Sequence, residues 1–197
     1  MSAVAPAGGR TPAGPHVIAV VSAGLSEPSS TRLLADRLGE ATVHSLGERG
    51  VVAEVRTVEL RAVAQELTTM LLTGVASANL RAALDTVTRA DGLVAVSPIF
   101  SGSYNGLFKT FFDLVDDGAL EGVPVLLGAT AGTAVFAATD DFGHSSGVRS
   151  DDDVAPLAER VARGAHELAD LVAVRSRTAP TDPFALSESF EDLLRGQ

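Results

Sequence analysis

Residues 17–31 read Val17-Ile18-Ala19-Val20-Val21-Ser22-Ala23-Gly24-Leu25-Ser26-Glu27-Pro28-Ser29-Ser30-Thr31. A compact apolar run rich in β-branched residues, without polar alternation, is the pattern of a strand buried on both faces. Ser22-Ala23-Gly24 ends it. Ser29 and Ser30 are then candidate N-caps for a helix whose Leu33, Leu34, Leu38 and Ala41 recur at three-to-four spacing, and which stops near Gly50. A buried strand that passes through a short Ser-rich loop into a helix is the opening of a βαβ unit.

The alternation continues along the chain. A second strand is expected from Val51 to about Val58, a helix from Arg61 to Leu72 with Gly74 as its stop, and a helix from a Ser77 cap to Ala90. Gly92 to Val96 is the third strand, ended by Pro98; a helix from about Gly106 to Val115 follows; Val123 to Leu127 is the fourth strand, closed by Gly128 to Gly132. Val154 to Val174 has helical spacing at Leu157, Val161, Ala165, Leu168 and Val172, and the Pro-containing tail beyond it carries a short turn around Phe190 to Leu194. Strands alternating with helices predict an α/β fold with a doubly wound, mostly parallel sheet covered on both faces, whose ligands bind beyond the carboxyl ends of the strands. The expected organisation is a disordered, Pro/Gly-rich tail over 1–15, one domain over 16–174, and a C-terminal tail over 175–197.

Composition agrees with one soluble domain. The 197 residues are 46% hydrophobic and 20% charged, with a formal net charge of −10 and no cysteine. That surface charge disfavours nucleic acid and anionic membranes, and only one of the 15 basic residues is a lysine, Lys109. The longest apolar runs fall well short of the roughly 20 residues that span a bilayer, and the N-terminus lacks the apolar core of a secretory signal. A cysteine-free chain has no disulfide framework and no thiolate nucleophile, which suits a reducing cytoplasm. Any redox chemistry must then come from a cofactor. The acidic clusters Asp116-Asp117, Asp140-Asp141 and Asp151 to Asp153 read as solvated loops, so no metal site is expected.

The topology directs attention to three loops. In the first, Ser22 to Thr31, five hydroxyls surround a helix N-terminus whose free N–H groups and dipole favour an anion such as a phosphate monoester. Simple capping of the helix by the same hydroxyls is the competing reading. The loop has neither G-x-G-x-x-G nor G-x-x-x-x-G-K-[ST], so it is neither the usual dinucleotide fingerprint nor a P-loop. The second runs Ser97-Pro98-Ile99-Phe100-Ser101-Gly102-Ser103-Tyr104-Asn105-Gly106, and with the helix behind it holds five of the nine aromatic residues. Phe108, Phe111 and Phe112 lie at core spacing, which leaves Phe100 and Tyr104 as candidate neighbours of a flat ring ligand. The third, Gly128-Ala129-Thr130-Ala131-Gly132-Thr133, is small enough for close backbone approach. A hydrolase elbow G-x-S-x-G is absent, and the first strand lacks the acidic pair of a phospho-acceptor receiver.

Together these segments resemble the NADPH-dependent FMN reductase family of flavodoxin-like fold. Residues 97–109 are similar to that family's T-P-x-Y-N-x-S-x-x-x-x-x-K loop, and Gly128 to Gly132 to its G-A-T-G-G. The resemblance implies strand order 2-1-3-4-5, with Gly24, Leu25, Ser26, Ser29, Ser30 and Thr31 holding the FMN phosphate. It places Pro98, Ile99, Phe100, Ser101, Gly102, Ser103 and Tyr104 at the isoalloxazine ring, and Thr130, Ala131 and Gly132 at its pyrimidine end. It implies hydride transfer from NADPH or NADH to flavin and on to free flavin, a quinone or a flavin-dependent monooxygenase, in a homo-oligomer, with no acid, base or nucleophile from the protein.

Three departures stand out. Phe100 and Ser101 replace a frequent Tyr and Asn. Ser26 replaces a frequent basic residue, with Arg32 as the nearby helper for a phosphate. A helix is missing, because Ala134 to Thr139, similar to the fifth strand, begins two residues after Gly132. A parallel neighbour needs a crossover of roughly a dozen residues, so this strand is expected to turn back antiparallel or to leave the sheet. The alternative to a reductase is a flavin-binding or interaction protein without turnover.

Overall fold

A computed structural model describes residues 14–131, 134–137 and 156–175. The 1–13 tail, the acidic segment from residue 138 to 155 with its Asp clusters and His144, and the tail from 176 onward lie outside the described residues. Elements follow in the order β1 (His16–Ser22), α1 (Ser30–Glu48), β2 (Ala53–Glu59), a short 3-10 turn (Leu60–Val63), α2 (Ala64–Thr73), α3 (Ala78–Thr88), β3 (Gly92–Phe100), β4 (Ser103–Tyr104), α4 (Gly106–Phe112), β5 (Val125–Ala131), β6 (Ala134–Ala137) and α5 (Leu157–Val174).

The six strands form one sheet in the order β2-β1-β3-β5-β6, with the two-residue β4 beside β3. β1 is parallel to β2 and β3, and β3 is parallel to β5, with Ile18 opposite Gly92 and Leu93 opposite Val125. Alternate residues of β1 face opposite cores. Ala19 and Val21 join the Leu60–Val63 turn, α2, α3 and Phe111 of α4; Ile18 and Val20 join Leu34 and Leu38 of α1 and Leu168 and Val172 of α5. Each fully buried branched side chain stabilises the fold by about 1.5–3 kcal/mol, so β1, buried between two helix layers, is its backbone. This is the doubly wound arrangement expected from the alternation, in the flavodoxin-like strand order that the resemblance implies.

Two expected strand ends move furthest. β3 does not stop before Pro98 but runs on to Phe100. The Val96 carbonyl accepts from Ala23 N–H, so the β1-facing side of β3 carries residues 94, 96 and 98. Since β1 ends opposite Val96, the N–H that proline lacks falls past the last partner and costs no ladder bond. Likewise Gly128 to Ala131 is strand rather than loop. It pairs with β3 as far as Pro98 opposite Thr130, and with β6 from Gly128 opposite Ala137 to Ala131 opposite Ala134. β6 is antiparallel, as its short connection requires.

Candidate functional site

The first two loops and the carboxyl end of β5 meet at one sheet edge. Ser29 takes the N-cap of α1, its Oγ accepting from Arg32 N–H at 3.2 Å, and the N–H groups of Ser30 and Thr31 belong to the turn that no intrahelical acceptor serves. Gly24 closes the loop against this turn. A Cβ there would overlap the Ser29 hydroxyl and stand 3.1 Å from Ser29 Cβ and 3.3 Å from Thr31 Cβ. Leu25 is 45% exposed at the rim. Glu27, preceding a cis proline, is the loop's acid, and Arg61 donates to it at 2.7 Å. That hydrogen bond and the guanidinium charge hold the carboxyl below its ordinary range, so the pair is neutral overall at pH 7.

Arg32, expected as the phosphate helper, is engaged by two carboxylates. Its Nε donates to both carboxylate oxygens of Asp36 at 2.8 and 2.9 Å and its guanidinium to Glu59 at 3.1 Å, an engagement that raises its pKa, Asp36 leading. The anion-favouring character of the loop therefore rests on hydroxyls, N–H groups and the helix dipole.

The second loop is a hairpin. Phe100 pairs with Ser103 and Ile99 with Tyr104, leaving Ser101 and Gly102 as the two loop residues at φ 51° and 75°. Two successive positive φ values define a type I′ turn, in which Asn-Gly is preferred because Asn and Gly tolerate the left-handed region. This gives a physical reason for the amide frequent at position 101. Ser101→Asn is expected to raise stability by about 0.5 kcal/mol, whereas Gly102→Val, β-branched at positive φ, should cost about 1–2 kcal/mol; urea unfolding of each variant checks both.

The hairpin presents Phe100 and Tyr104 to solvent at 52% and 51% exposure. Tyr104 is backed by Phe108 at 6.1 Å between ring centroids, and Phe108 by Phe112 at 4.8 Å, which meets the buried Phe111 edge-on. The core reading of the α4 aromatics holds. Lys109 pairs with Asp113 one turn on, at 2.6 Å.

Two side-chain links tie these segments together. Thr31 Oγ1 and Thr130 Oγ1 share a 2.7 Å hydrogen bond, both buried, joining the first loop to the end of β5. Asn105, also buried, donates from Nδ2 to Ala23 O at 3.1 Å, caps α4 by accepting from Leu107 N–H at 2.7 Å, and donates its own N–H to Ser97 Oγ at 2.9 Å. Asn105 and Ser97 were not singled out from the sequence; the signal was an Asn directly ahead of a helix start, the N-cap pattern. Ser22 Oγ, at the end of β1, is buried without a hydrogen-bond partner among the described residues. Of the expected contact residues, Gly132 lies outside the described residues, Ala131 ends β5, and the others stand on this edge. A concavity lined by Val17, Arg56, Asp85, Thr86 and Arg89 lies toward the amino-terminal end of the strands and shares none of them. No cluster of three or more metal-ligating side chains occurs among the described residues, and no described helix is long and apolar enough to cross a membrane.

A doubly wound sheet whose carboxyl edge combines a Ser-rich helix N-terminus with an exposed aromatic hairpin defines the flavodoxin-like class. The model of the NADPH-dependent FMN reductase family matches residues 17–142, and the chain belongs to that family. It is 40% identical over 119 residues to an FMN reductase (NADPH) of Pseudomonas aeruginosa, covering 60% of this chain and 61% of that protein. It is 40% identical over 116 residues to the NADH-dependent FMN reductase SfnF of Pseudomonas putida, covering 59% and 60%. The chain thus spans about three-fifths of the length of these curated relatives. A crystal structure of an oxidoreductase from Corynebacterium diphtheriae superimposes with TM-score 0.68 at 36% identity, over 82% of this chain and 99% of that one. The apo form of the NADH:FMN oxidoreductase EMOB, at 20% identity and TM-score 0.56, shares the fold.

Proposed function

We propose that the chain is an NAD(P)H-dependent flavin reductase that binds FMN at the carboxyl edge of β1, β3 and β5. What supports this reading is the convergence of the two loops and the end of β5, tied by Asn105 and by the Thr31–Thr130 hydrogen bond, in a chain of the FMN reductase family. The residues fit the ligand: Gly24 lets the loop close against Ser29 and Thr31 at the α1 N-terminus, where a Cβ would overlap the Ser29 hydroxyl, and Arg61 neutralises Glu27, the acid within the phosphate loop. In this reading Gly24 to Ser26 and Ser29 to Thr31 hold the phosphate. Pro98 to Tyr104 flank the ring, with Phe100 and Tyr104 as its apolar neighbours, and Thr130 to Gly132 meet its pyrimidine end. Bound FMN supplies the hydride-accepting chemistry; the protein stacks, orients and keeps water away.

The same reading takes residues 16–174 as the FMN-binding unit of a homo-oligomer in a reducing cytoplasm, handing electrons to free flavin, a quinone or a flavin-dependent monooxygenase. The purified protein is expected to bind FMN on titration and, on anaerobic addition of NADPH or NADH, to oxidise the nicotinamide in step with flavin bleaching. Protein that neither binds FMN nor oxidises either nucleotide with FMN present overturns the assignment. FMN binding without turnover restricts it to a flavin carrier.

A further inference from the structure

The two faces of the sheet are covered unequally. On one, α1 and α5 close over β1, β3 and Leu126 of β5. On the other, the Leu60–Val63 turn and α2 to α4 close over β1 and β3, where Leu93 and Ala95 are buried. Val125 and Leu127 of β5 nevertheless remain 44% and 41% exposed. They flank Leu126, which belongs to the α1/α5 core, so strand alternation puts both on the opposite face. β5 is an interior strand between β3 and β6, and an interior strand of a doubly wound sheet is normally covered on both sides. The two-residue step from β5 to β6 leaves no length for a covering helix between them.

The chain also holds an amphipathic stretch of sequence beyond α5. Leu186, Phe190, Leu193 and Leu194 fall at i, i+4, i+7 and i+8, one helical face, while Ser187, Glu188, Glu191, Asp192 and Arg195 lie on the other together with Phe184. Asp182-Pro183 ahead of them has the sequence pattern of an N-cap followed by proline at a first helical position. The segment also starts in the right place. Arg175 donates to the carbonyls of Ala90 and Asp91 at 3.3 and 3.2 Å, just before β3 begins at Gly92, and the next residue of β3, Leu93, pairs with Val125. The chain therefore leaves α5 at the amino-terminal edge of the sheet, one strand from Val125. Residues 176–182 reach about 23 Å when extended. Helix layer to helix layer across a sheet is about 20 Å at the ~10 Å spacing of packed elements.

We propose that residues 183–195 form an amphipathic helix that docks its Leu186, Phe190, Leu193 and Leu194 face on Val125 and Leu127 of the same chain, covering the sheet where a crossover helix is missing. The cysteine-free background makes the test direct. In the full-length protein, Leu127→Cys with Phe190→Cys is expected to form an intrachain disulfide on mild oxidation at least fivefold faster than Leu127→Cys with Glu188→Cys, whose second position lies on the polar face. Equal rates mean that the segment only collides with the sheet, and they overturn the proposal. A disulfide at dimer mass makes a second copy's tail the occupant and equally overturns docking within the chain, as does failure of either pair to cross-link. In the single Leu127→Cys variant, adding Phe190→Asp is expected to speed modification by a thiol reagent at least tenfold; an unchanged rate also refutes it.

Discussion

Gly24→Ala is expected to weaken FMN binding by about a hundredfold, two factors of ten at about 1.4 kcal/mol each. The new methyl group has nowhere to go, because its position overlaps the Ser29 hydroxyl and crowds the Cβ atoms of Ser29 and Thr31. Relief requires Ser29 to rotate away from Arg32 N–H, which removes the N-cap of α1 at a cost of about 1 kcal/mol, or the loop to move off the helix. Either response displaces the N–H groups of Ser30 and Thr31 from the positions that favour an anion, and overpacking adds about 1–3 kcal/mol to the loss of stability. A second change isolates the cause. Gly24→Ala with Ser29→Gly removes both the hydroxyl and the Cβ that the methyl meets, leaving Thr31 Cβ as the remaining close neighbour. Affinity should recover by about tenfold even though Ser29 is gone, a gain of about 1.4 kcal/mol. Fluorescence titration of the two variants and the parent with FMN measures this. Parent-like affinity in Gly24→Ala would show that the phosphate is not held against this turn.

The sheet and the ligand edge were legible because they follow from local pattern and topology. The Val17–Val21 run and the helix behind it have their signals within 15 residues of each other, and the position of the ligand edge follows from βα alternation alone. Where the reading failed, the deciding partner was remote. Pro98 is an ordinary strand breaker until β1 is known to end opposite Val96. Gly128 to Ala131 reads as a loop until β6 pairs with it. Ser101 replaces an amide at a turn whose left-handed geometry only the hairpin register reveals. The exposed face of β5 shows the same limit: the absence of a helix was visible as a short spacing, whereas the side chains it uncovers required the sheet order.

Asn105 is the extreme case, since its Nδ2 contact with Ala23 spans 82 residues, and it carries the other large prediction. Asn105→Ala removes the cap of α4, about 1 kcal/mol, and leaves the Ala23 carbonyl without that donor, about 1–3 kcal/mol when buried. A loss of about 3 kcal/mol corresponds to a fall in Tm of about 6–12 °C for a domain of this size. Because Asn105 joins the strand end before the phosphate loop to the start of the aromatic hairpin, FMN affinity should fall by about tenfold as well. Asn105→Asp separates the two roles. Its carboxylate still accepts from Leu107 N–H but now faces the Ala23 carbonyl, a charged acceptor against an acceptor, which favours the protonated acid in the folded state. The folded pKa is thereby raised above the unfolded value. The native state then binds the proton more tightly, so stability is lost as pH rises above the unfolded value and regained as pH falls through the folded one, where the protonated oxygen can donate to Ala23. Thermal melts at pH 5 and pH 8, each referenced to the parent at the same pH, should show Asn105→Asp closer to the parent at pH 5 and Asn105→Ala equally destabilised at both. Parent-like stability of Asn105→Asp at both pH values would mean that the contact with Ala23 contributes nothing and that the cap of α4, which the carboxylate keeps, is the whole of this residue's role.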